Sequence, residues 1–228
     1  MKEIELALSK PYPSHTMQRW EIINNIIHRY GFKDYLEIGV SDPQWCYDNV
    51  ICQNKDSVDP GVEFMPNPVK YKMTSDEFFN TIPKDKKWDV IFIDGLHVAK
   101  QVIQDIHNAL DHLSPNGFIL LHDVNPTNVW LQRENYSIDG INRQWNGTVW
   151  KAYYALRITR PDLTMCVLDT DWGVGVIRRG TQVLAPADNT FYDYNMFDAN
   201  RVEYLNLIDG NDLDLFLSMS DKKLPGIK

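Results

Sequence analysis

Polar side chains that could do chemistry recur at the carboxyl ends of short apolar runs in this sequence. In chain order they are Glu37, Asp59, Ser75, Asp76, Asp94, His97, His122 and Asp123, with Gly39 closing the first run. Carboxylates bind hydroxyl donors or a divalent cation, and a histidine takes up a proton near neutral pH. A carboxylate at a buried strand end is costly unless it is paired or bonded to a ligand. The pattern therefore predicts a polar ligand site.

Buried strands separated by helices are predicted to position these residues. The predicted strands span 35–40, 57–59, 71–74, 89–94 and 118–123, with a turn at 114–117. Apolar residues at helical spacing predict helices over 14–30, 98–112 and 148–160, and a short helix from Ser75. Strands without polar alternation indicate a parallel sheet covered on both faces. In such a sheet, ligands bind at the carboxyl ends of the strands, where the strand order reverses.

The pattern changes after Asp123. Residues 125–146 form a polar and aromatic loop, longer than an ordinary connection and therefore predicted to be functional. The runs 163–169 and 174–178 predict an antiparallel hairpin. We expect an α/β fold: a Rossmann-like, doubly wound sheet, mostly parallel, with a C-terminal antiparallel hairpin. Residues 1–184 are predicted to form this domain, and residues 185–228 a C-terminal helical appendage.

The composition of the chain limits the kinds of molecule that it is expected to bind. A chain of 228 residues can bury a core without disulfide or metal support. Its net charge of −8 disfavours nucleic acid as a partner, and no run reaches the roughly 20 apolar residues of a membrane span. The three cysteines lack a Cys-x-x-Cys spacing, which predicts reduced thiols and a cytoplasmic location. We expect a small-molecule or sugar partner and no nucleic acid or membrane, with the appendage as a candidate homodimer contact.

Four segments together resemble the class I S-adenosylmethionine-dependent methyltransferases. They are Tyr35-Leu-Glu-Ile-Gly-Val40, Ser57-Val-Asp-Pro60, Phe92-Ile-Asp-Gly-Leu-His97 and Gly117-Phe-Ile-Leu-Leu-His-Asp123. Within that class they look closest to the macrocin-type sugar and macrolide O-methyltransferases. The resemblance covers roughly residues 33–180. It implies the class I methyltransferase fold, S-adenosylmethionine as cofactor, and O-methylation of a small-molecule or sugar hydroxyl.

The resemblance also implies a role for each strand end. Glu37 and Gly39 correspond to the first motif, which lies under the methionine portion of the cofactor. Asp59 corresponds to the residue whose carboxylate accepts both ribose hydroxyls. Asp94 corresponds to the residue beside the sulfonium and the acceptor. Ser75 and Asp76 correspond to the region that meets the adenine.

The first loop departs from the family pattern. The family continues with a second glycine, whereas this chain continues with Val40-Ser41-Asp42-Pro43. Proline fixes φ and removes an amide donor, so this loop must follow a different path.

An alcohol acceptor must lose a proton during methyl transfer, and histidine suits that task. His122 and His97 are the candidate bases, with His122 preferred for its place on a rigid strand end, and Asp94 is expected beside them. Asp94 and Asp123 end neighbouring strands, which makes them the candidate ligands of a Mg²⁺ ion.

Structural interpretations of the same residues stay open. Glu37 could cap a helix, Asp59 could be a turn residue, His97 could merely begin a helix, and His122 with Asp123 could lock a strand end. Two other function classes also remain. A non-catalytic binding or assembly module is favoured by the altered first loop. A nicotinamide-dependent oxidoreductase is disfavoured because Gly39-Val-Ser-Asp-Pro-Gln44 lacks the Gly-x-Gly-x-x-Gly turn.

Overall fold

The computed structural model describes residues 17–62, 66–138, 141–142 and 144–222. Its helices are α1 (Arg19–Tyr30), α2 (Ser75–Thr81), α3 (Ala99–His112), α4 (Val149–Thr159), α5 (Tyr194–Leu205) and α6 (Leu213–Asp221). Its strands are β1 (Asp34–Ile38), β2 (Asn54–Val58), β3 (Trp88–Ile93), β4 (Leu113–Leu121), β5 (Ser137–Ile138), β6 (Ile141–Asn142), β7 (Leu163–Asp169), β8 (Val174–Arg179) and β9 (Leu207–Asp209). Short 3-10 turns lie at Pro43–Trp45, Tyr47–Asn49 and Gly210–Asp212.

A seven-stranded sheet organises the fold, in the order β2-β1-β3-β4-β8-β7-β9. β2, β1, β3 and β4 are parallel, whereas β8 runs antiparallel to both β4 and β7. The predicted α/β fold with its C-terminal antiparallel hairpin, β7–β8, is confirmed. β2 lies on one side of β1 and β3 on the other, so the strand order reverses beside β1. A ligand site is therefore expected at the carboxyl ends of β1 and β3.

Alternate residues of the central strands supply two hydrophobic cores. Leu36 and Ile91 belong to the core that includes side chains of α2, α3, α4 and α5. Tyr35 and Phe92 face the other way and join the core that includes α1 and α6. Because both faces of the sheet are covered, its strands are apolar without alternation.

Helix α1 has a defined cap at each end. The Gln18 N–H donates to the Glu21 carboxylate at 2.7 Å, and Gly31, with φ of +66°, ends the helix. The helix was predicted from residue 14, which lies outside the described residues. With its first turn at Arg19, α1 places that side chain beside the ends of β3 and β7.

Three details of the predicted strands need correction. Residues 71–74 form no extended strand, because Tyr71 makes only an isolated parallel bridge with Val58. Residues 114–117 belong to β4 rather than to a separate turn, since Leu113 already pairs with Trp88 across an irregularity in the ladder. The edge strand β9, which pairs in parallel with β7, was not predicted.

The C-terminal region packs on both cores. Phe197 and Tyr204 of α5 join the first core, and Leu213 and Leu217 of α6 join the second. The division into a domain over 1–184 and an appendage over 185–228 stays a prediction. None of the helices in the described part of the chain is long and apolar enough to cross a membrane.

Candidate functional site

A cavity of about 350 Å³ opens at the carboxyl ends of β1, β2 and β3, where the strand order reverses. Its volume falls within the range of small-molecule sites. It is lined by residues from the strand ends, the start of α2, α3 and the loop before α4: Ile38, Gly39, Ser41, Val58, Asp59, Pro60, Val62, Thr74, Ser75, Asp76, Asp94, Gly95, Leu96, Gln101, Asp105 and Trp145. Five of the predicted site residues are among them, namely Gly39, Asp59, Ser75, Asp76 and Asp94.

Gly39 lets β1 and β3 approach closely at the floor of the cavity. Its φ is +82°, and a Cβ added there would lie 2.3 Å from both the Asp94 carbonyl oxygen and Gly95 Cα. The Asp94 N–H donates to the Ile38 carbonyl at 2.8 Å, which brings the two strand ends together. Only glycine fits this approach, because the atoms that a side chain would meet are backbone.

The first loop is held by Asp59. One carboxylate oxygen accepts the N–H groups of Val40 and Ser41 at 3.0 and 3.1 Å, and the other accepts the Gly61 N–H at 2.6 Å. Farther along the loop, Pro43–Trp45 form a 3-10 turn, and the Gln44 N–H in this turn donates to the Asp42 carboxylate at 3.0 Å. Asp59 thus organises the first loop, while it also lines the cavity.

The side of the cavity formed by α2 and α3 is tied together by Gln101. Its amide nitrogen lies 3.3 Å from Ser75 Oγ and 3.1 Å from carboxylate oxygens of both Asp76 and Asp105. Burial raises the pKa of Asp105 to about 6. Gln101 and Asp105 were missed by the sequence pattern because both lie within a helix rather than at a strand end.

Glu37 does not line the cavity. It points to the opposite face of the sheet, is 1% exposed, and accepts the Tyr35 hydroxyl at 2.5 Å. Burial, with a smaller contribution from Asp94, raises the pKa of Glu37 to about 8 in spite of the Tyr35 hydrogen bond. The predicted contact of Glu37 with the cofactor therefore does not fit its position on the far side of β1.

Asp94 joins the cavity to a cluster of charged side chains. Its Oδ1 lies 3.2 Å from His97 Nε2 and 3.1 Å from His122 Nδ1. Asp123 faces the same two rings, with its Oδ2 3.2 Å from His97 Nδ1 and 3.3 Å from His122 Nδ1. The expected convergence of Asp94, His97, His122 and Asp123 is thus present in the structure, although only Asp94 also lines the cavity.

The cluster is backed by an arginine and a third aspartate that the sequence pattern missed. Arg19 Nη1 donates to Asp94 Oδ2 at 2.8 Å, and Arg19 Nε donates to Asp171 at 2.8 Å. Asp171 Oδ1 in turn lies 3.4 Å from His122 Nε2. The three aspartates therefore surround Arg19 and both imidazole rings at close range.

These neighbours set the protonation of the cluster. Burial raises the pKa of Asp94, but His122, His97 and Arg19 together hold it well below its usual range. Burial and Arg19 lower the pKa of His122, yet Asp123 and Asp94 outweigh them and raise it well above its usual value. For His97, burial opposes Asp123 and Asp94, and the net effect is a raised pKa.

The geometry does not fit His122 as the proton acceptor. His122 is only 4% exposed, so little of its ring is open to an acceptor. His97 is the more accessible ring, with its side chain 15% exposed. Its ring stacks on Trp145 at 4.9 Å, and Trp145 lines the cavity. Between the two predicted bases, position and accessibility favour His97.

The donor set around Asp94 fits a divalent cation. Asp94, His97 and Asp123 each offer a ligand atom within 4.8 Å of the others, and His122 Nδ1 faces both carboxylates. Asn146 donates to Asp123 Oδ1 at 2.7 Å, while its own buried Oδ1 has no hydrogen-bond partner among the residues that the structure describes. Carboxylates with an imidazole suit Mn²⁺ better than Mg²⁺, which prefers an all-oxygen set.

Comparison with known proteins agrees with this fold. A family model described as a methyltransferase domain matches residues 47–124, the stretch that holds Asp59, Asp94, His97, His122 and Asp123. None of the curated proteins matches the chain in sequence. The family match supports a methyltransferase.

Solved structures share the fold at low identity. A protein assigned as an O-methyltransferase from Klebsiella pneumoniae superposes with a TM-score of 0.51 at 12% identity, over 78% of this chain and 86% of that one. One assigned as a caffeoyl-CoA O-methyltransferase from Staphylococcus aureus gives 0.50 at 19% identity, over 77% and 90%. The chain thus has the class I methyltransferase fold.

Proposed function

We propose that this protein is an S-adenosylmethionine-dependent O-methyltransferase acting on a hydroxyl of a small molecule. The proposal rests on the fact that Asp94 belongs to both the cavity and the charged cluster. It lines the cavity at the switch in strand order, and it contacts His97 and His122. A cofactor in the cavity would therefore end beside the groups that could activate an acceptor.

The cavity offers matched groups for each part of the cofactor. Asp59 and Asp76 supply carboxylates for ribose hydroxyls and for adenine donors, and Gly39 lets the chain pass close beneath the methionine portion. Asp94, whose pKa is held low, keeps a negative charge beside the position of the sulfonium. Electrostatic attraction to a cationic cofactor follows from this lining.

His97 is the proposed proton acceptor. S-adenosylmethionine supplies an electrophilic methyl group, and methyl transfer to a hydroxyl depends on alignment and on removal of one proton. Asp123 Oδ2 and the Trp145 carbonyl both lie 3.2 Å from His97 Nδ1, so Nδ1 would carry the ring proton. Nε2 lies 3.2 Å from Asp94 Oδ1 beside the cavity and would take the acceptor proton when a bound acceptor comes between the two groups. Asp123 would stabilise the imidazolium that results, as a carboxylate does behind a general base.

Asp94, Asp123 and one imidazole are the proposed ligands of a divalent cation. Of the two rings within reach, His97 is assigned the acceptor proton, so the ligand is His122 through its Nδ1, which lies 3.1 and 3.3 Å from the two carboxylates. Such a cation supplies Lewis acidity, which orients an acceptor oxygen and lowers its pKa. Asn146 would steady Asp123 through its 2.7 Å hydrogen bond. The mixed oxygen and nitrogen donors favour Mn²⁺ over the Mg²⁺ expected from the sequence.

The acceptor is proposed to be uncharged, with a sugar or a planar alcohol as candidates. The ring of Tyr136 packs 5.5 Å from Trp145, which in turn stacks on His97. Tyr136 is 44% exposed and Leu96 57%, so an apolar and aromatic wall faces solvent beside the cluster. Rings stack on such walls, whereas Asp94 and Asp123 would repel a polyanion.

Thermal unfolding tests the cofactor. At 100 times its dissociation constant, a ligand adds about 2.7 kcal/mol to stability, which is roughly 5–10 °C for a chain of this size. We expect S-adenosylmethionine and its demethylated product, S-adenosylhomocysteine, to raise the melting temperature and NAD to leave it unchanged. Stabilisation by NAD alone would instead indicate the oxidoreductase, and no response to any of the three would favour the non-catalytic module.

Asp59→Ala tests the cavity itself. The variant loses the acceptor of three backbone N–H groups, so unfolding free energy should fall by about 1.5–3 kcal/mol. Affinity for S-adenosylhomocysteine, measured by calorimetry, should fall roughly tenfold or more, since each tenfold corresponds to about 1.4 kcal/mol. Asp42→Ala is the control, because Asp42 accepts an N–H in the same loop at 3.0 Å and lies outside the cavity lining. Equal affinities of the two variants would show that Asp59 is a turn residue only.

A further inference from the structure

An ion pair lies directly behind the candidate site. Arg19 Nε and Nη2 donate to the two carboxylate oxygens of Asp171 at 2.8 and 3.0 Å. The Arg19 backbone N–H adds a further hydrogen bond to Asp171 at 2.9 Å. Asp171 is 4% exposed. A two-point contact between guanidinium and carboxylate fixes direction as well as distance, so each group is held in one orientation.

The pair reaches two members of the proposed cation site. Arg19 Nη1 donates to Asp94 Oδ2 at 2.8 Å, which leaves Asp94 Oδ1 facing the histidines. Asp171 Oδ1 faces His122 Nε2 at 3.4 Å, so the Nδ1 of that ring faces Asp94 and Asp123. A carboxylate behind a ligating imidazole fixes the tautomer and the direction of the ring.

The backbone at Asp171 is unusual in a way that suits this task. Asp171, Trp172 and Gly173 have φ values of 44°, 64° and 86° in the turn between β7 and β8. Left-handed conformations at non-glycine residues cost free energy and persist where the surroundings enforce them. Here the turn packs closely against Asn125. A Cβ added to Gly173 would lie 2.5 Å from the backbone nitrogen of Asn125. The turn thereby carries the Asp171 carboxylate to His122.

We propose that Arg19 and Asp171 form a positioning pair that keeps Asp94 and His122 aimed at a divalent cation. The inference rests on the proposed function, in which Asp94, His122 and Asp123 hold that cation. Neither member of the pair is a ligand. Through this pair, cation affinity depends on both α1 and the β7–β8 turn, two segments that are distant in sequence.

The test is a double variant, Arg19→Gln/Asp171→Asn. It removes one positive and one negative charge, so the net charge beside the site is unchanged and a weaker cation affinity cannot be an effect of charge. Asparagine tolerates the left-handed backbone at position 171. On the metal-stripped full chain, Mn²⁺ affinity, followed by the electron paramagnetic resonance signal of free Mn²⁺, should fall roughly 10- to 100-fold. Affinity for S-adenosylhomocysteine should be unchanged.

A matched control removes an ion pair elsewhere. Arg178 Nη1 contacts Asp221 at 2.8 Å, and Arg178→Gln/Asp221→Asn should leave Mn²⁺ affinity as in the wild type. Melting curves report whether each variant folds. If the first double variant does not melt cooperatively, Arg19→Gln alone replaces it. Loss of a positive charge would by itself strengthen cation binding, so a fall in Mn²⁺ affinity would still report lost positioning.

Three results would overturn the inference: an unchanged Mn²⁺ affinity in the variant, an equal loss in the control, or a wild-type protein that binds S-adenosylhomocysteine but does not bind Mn²⁺. In each case the methyltransferase proposal stands. A wild-type protein that binds no S-adenosylhomocysteine would contradict that proposal itself.

Discussion

Gly39→Ala is expected to abolish binding of S-adenosylhomocysteine and to destabilise the fold strongly. Its φ of +82° alone makes a side chain unfavourable by about 1–3 kcal/mol. The added Cβ would also lie 2.3 Å from the Asp94 carbonyl oxygen and from Gly95 Cα. Because those atoms are backbone, the ends of β1 and β3 must separate, and the floor of the cavity moves with them. Urea unfolding and calorimetry measure the two effects.

Gly31→Ala measures separately how much unfolding free energy is lost when a side chain is placed on a left-handed backbone. Gly31 has a φ of +66°, yet a Cβ there would meet no atom within 4 Å. We expect a loss of about 1–2 kcal/mol from the left-handed backbone and an unchanged affinity for S-adenosylhomocysteine. If Gly39→Ala were no worse than Gly31→Ala in both measurements, β1 and β3 would not be held together as closely as the structure has them.

The order of elements and the ends of the central strands could be predicted because both depend on local patterns. Two apolar faces mark β3 and the main part of β4, and the polar residues that follow them necessarily meet at one edge of a parallel sheet. For this reason Asp94, His97, His122 and Asp123 were expected to lie together, as they do. Glu37 lies one residue before the end of β1, and its side chain faces away from the cavity because side chains alternate between faces along a strand.

The residues that lie behind the site, Arg19 and Asp171, could not be predicted in the same way. Arg19 and Asp171 are 152 residues apart, and Arg19 and Asp94 are 75 apart. No local pattern links residues at those separations, and a lone arginine at a helix start or an aspartate in a hairpin turn has an ordinary local explanation. The role of His122 changed for the same reason, since only the folded chain brings Asp171 to its second nitrogen.

Short and irregular elements were missed for a different reason. β9 has three residues, which is too few to show a period of two. The composition of residues 114–117 is typical of a turn. They lie within β4 as an irregular segment between its two stretches paired with β3, Leu113 with Trp88 and Phe118 with Val90.

Glu37→Gln is expected to stabilise the protein near and above neutral pH. The pKa of Glu37 is raised to about 8 in the folded chain, from an ordinary value of 4.5. Between these two pH values the folded state holds one proton more than the unfolded state. Stability therefore falls as the pH rises through that window, by about 1.4 kcal/mol for each pH unit per proton, and the loss is complete above the folded pKa.

Glutamine removes this titration while keeping the shape of the side chain. Its amide oxygen can still accept the Tyr35 hydroxyl, which contacts Glu37 at 2.5 Å. We expect the two proteins to differ little near pH 4.5, where Glu37 is largely protonated in the folded state. The gap should widen as the pH rises to 8 and reach on the order of 4 kcal/mol in favour of the variant.

Urea unfolding at a series of pH values between 4.5 and 8.5 measures the difference directly. Titrations of groups that do not interact with Glu37 are common to both proteins and cancel in that difference. Glu203→Gln is the control, because Glu203 is exposed on α5 and its replacement should change stability by no more than about 0.5 kcal/mol at any pH. A difference between wild type and Glu37→Gln that stayed constant across the window would show that the buried carboxyl of Glu37 ionises normally in the folded chain.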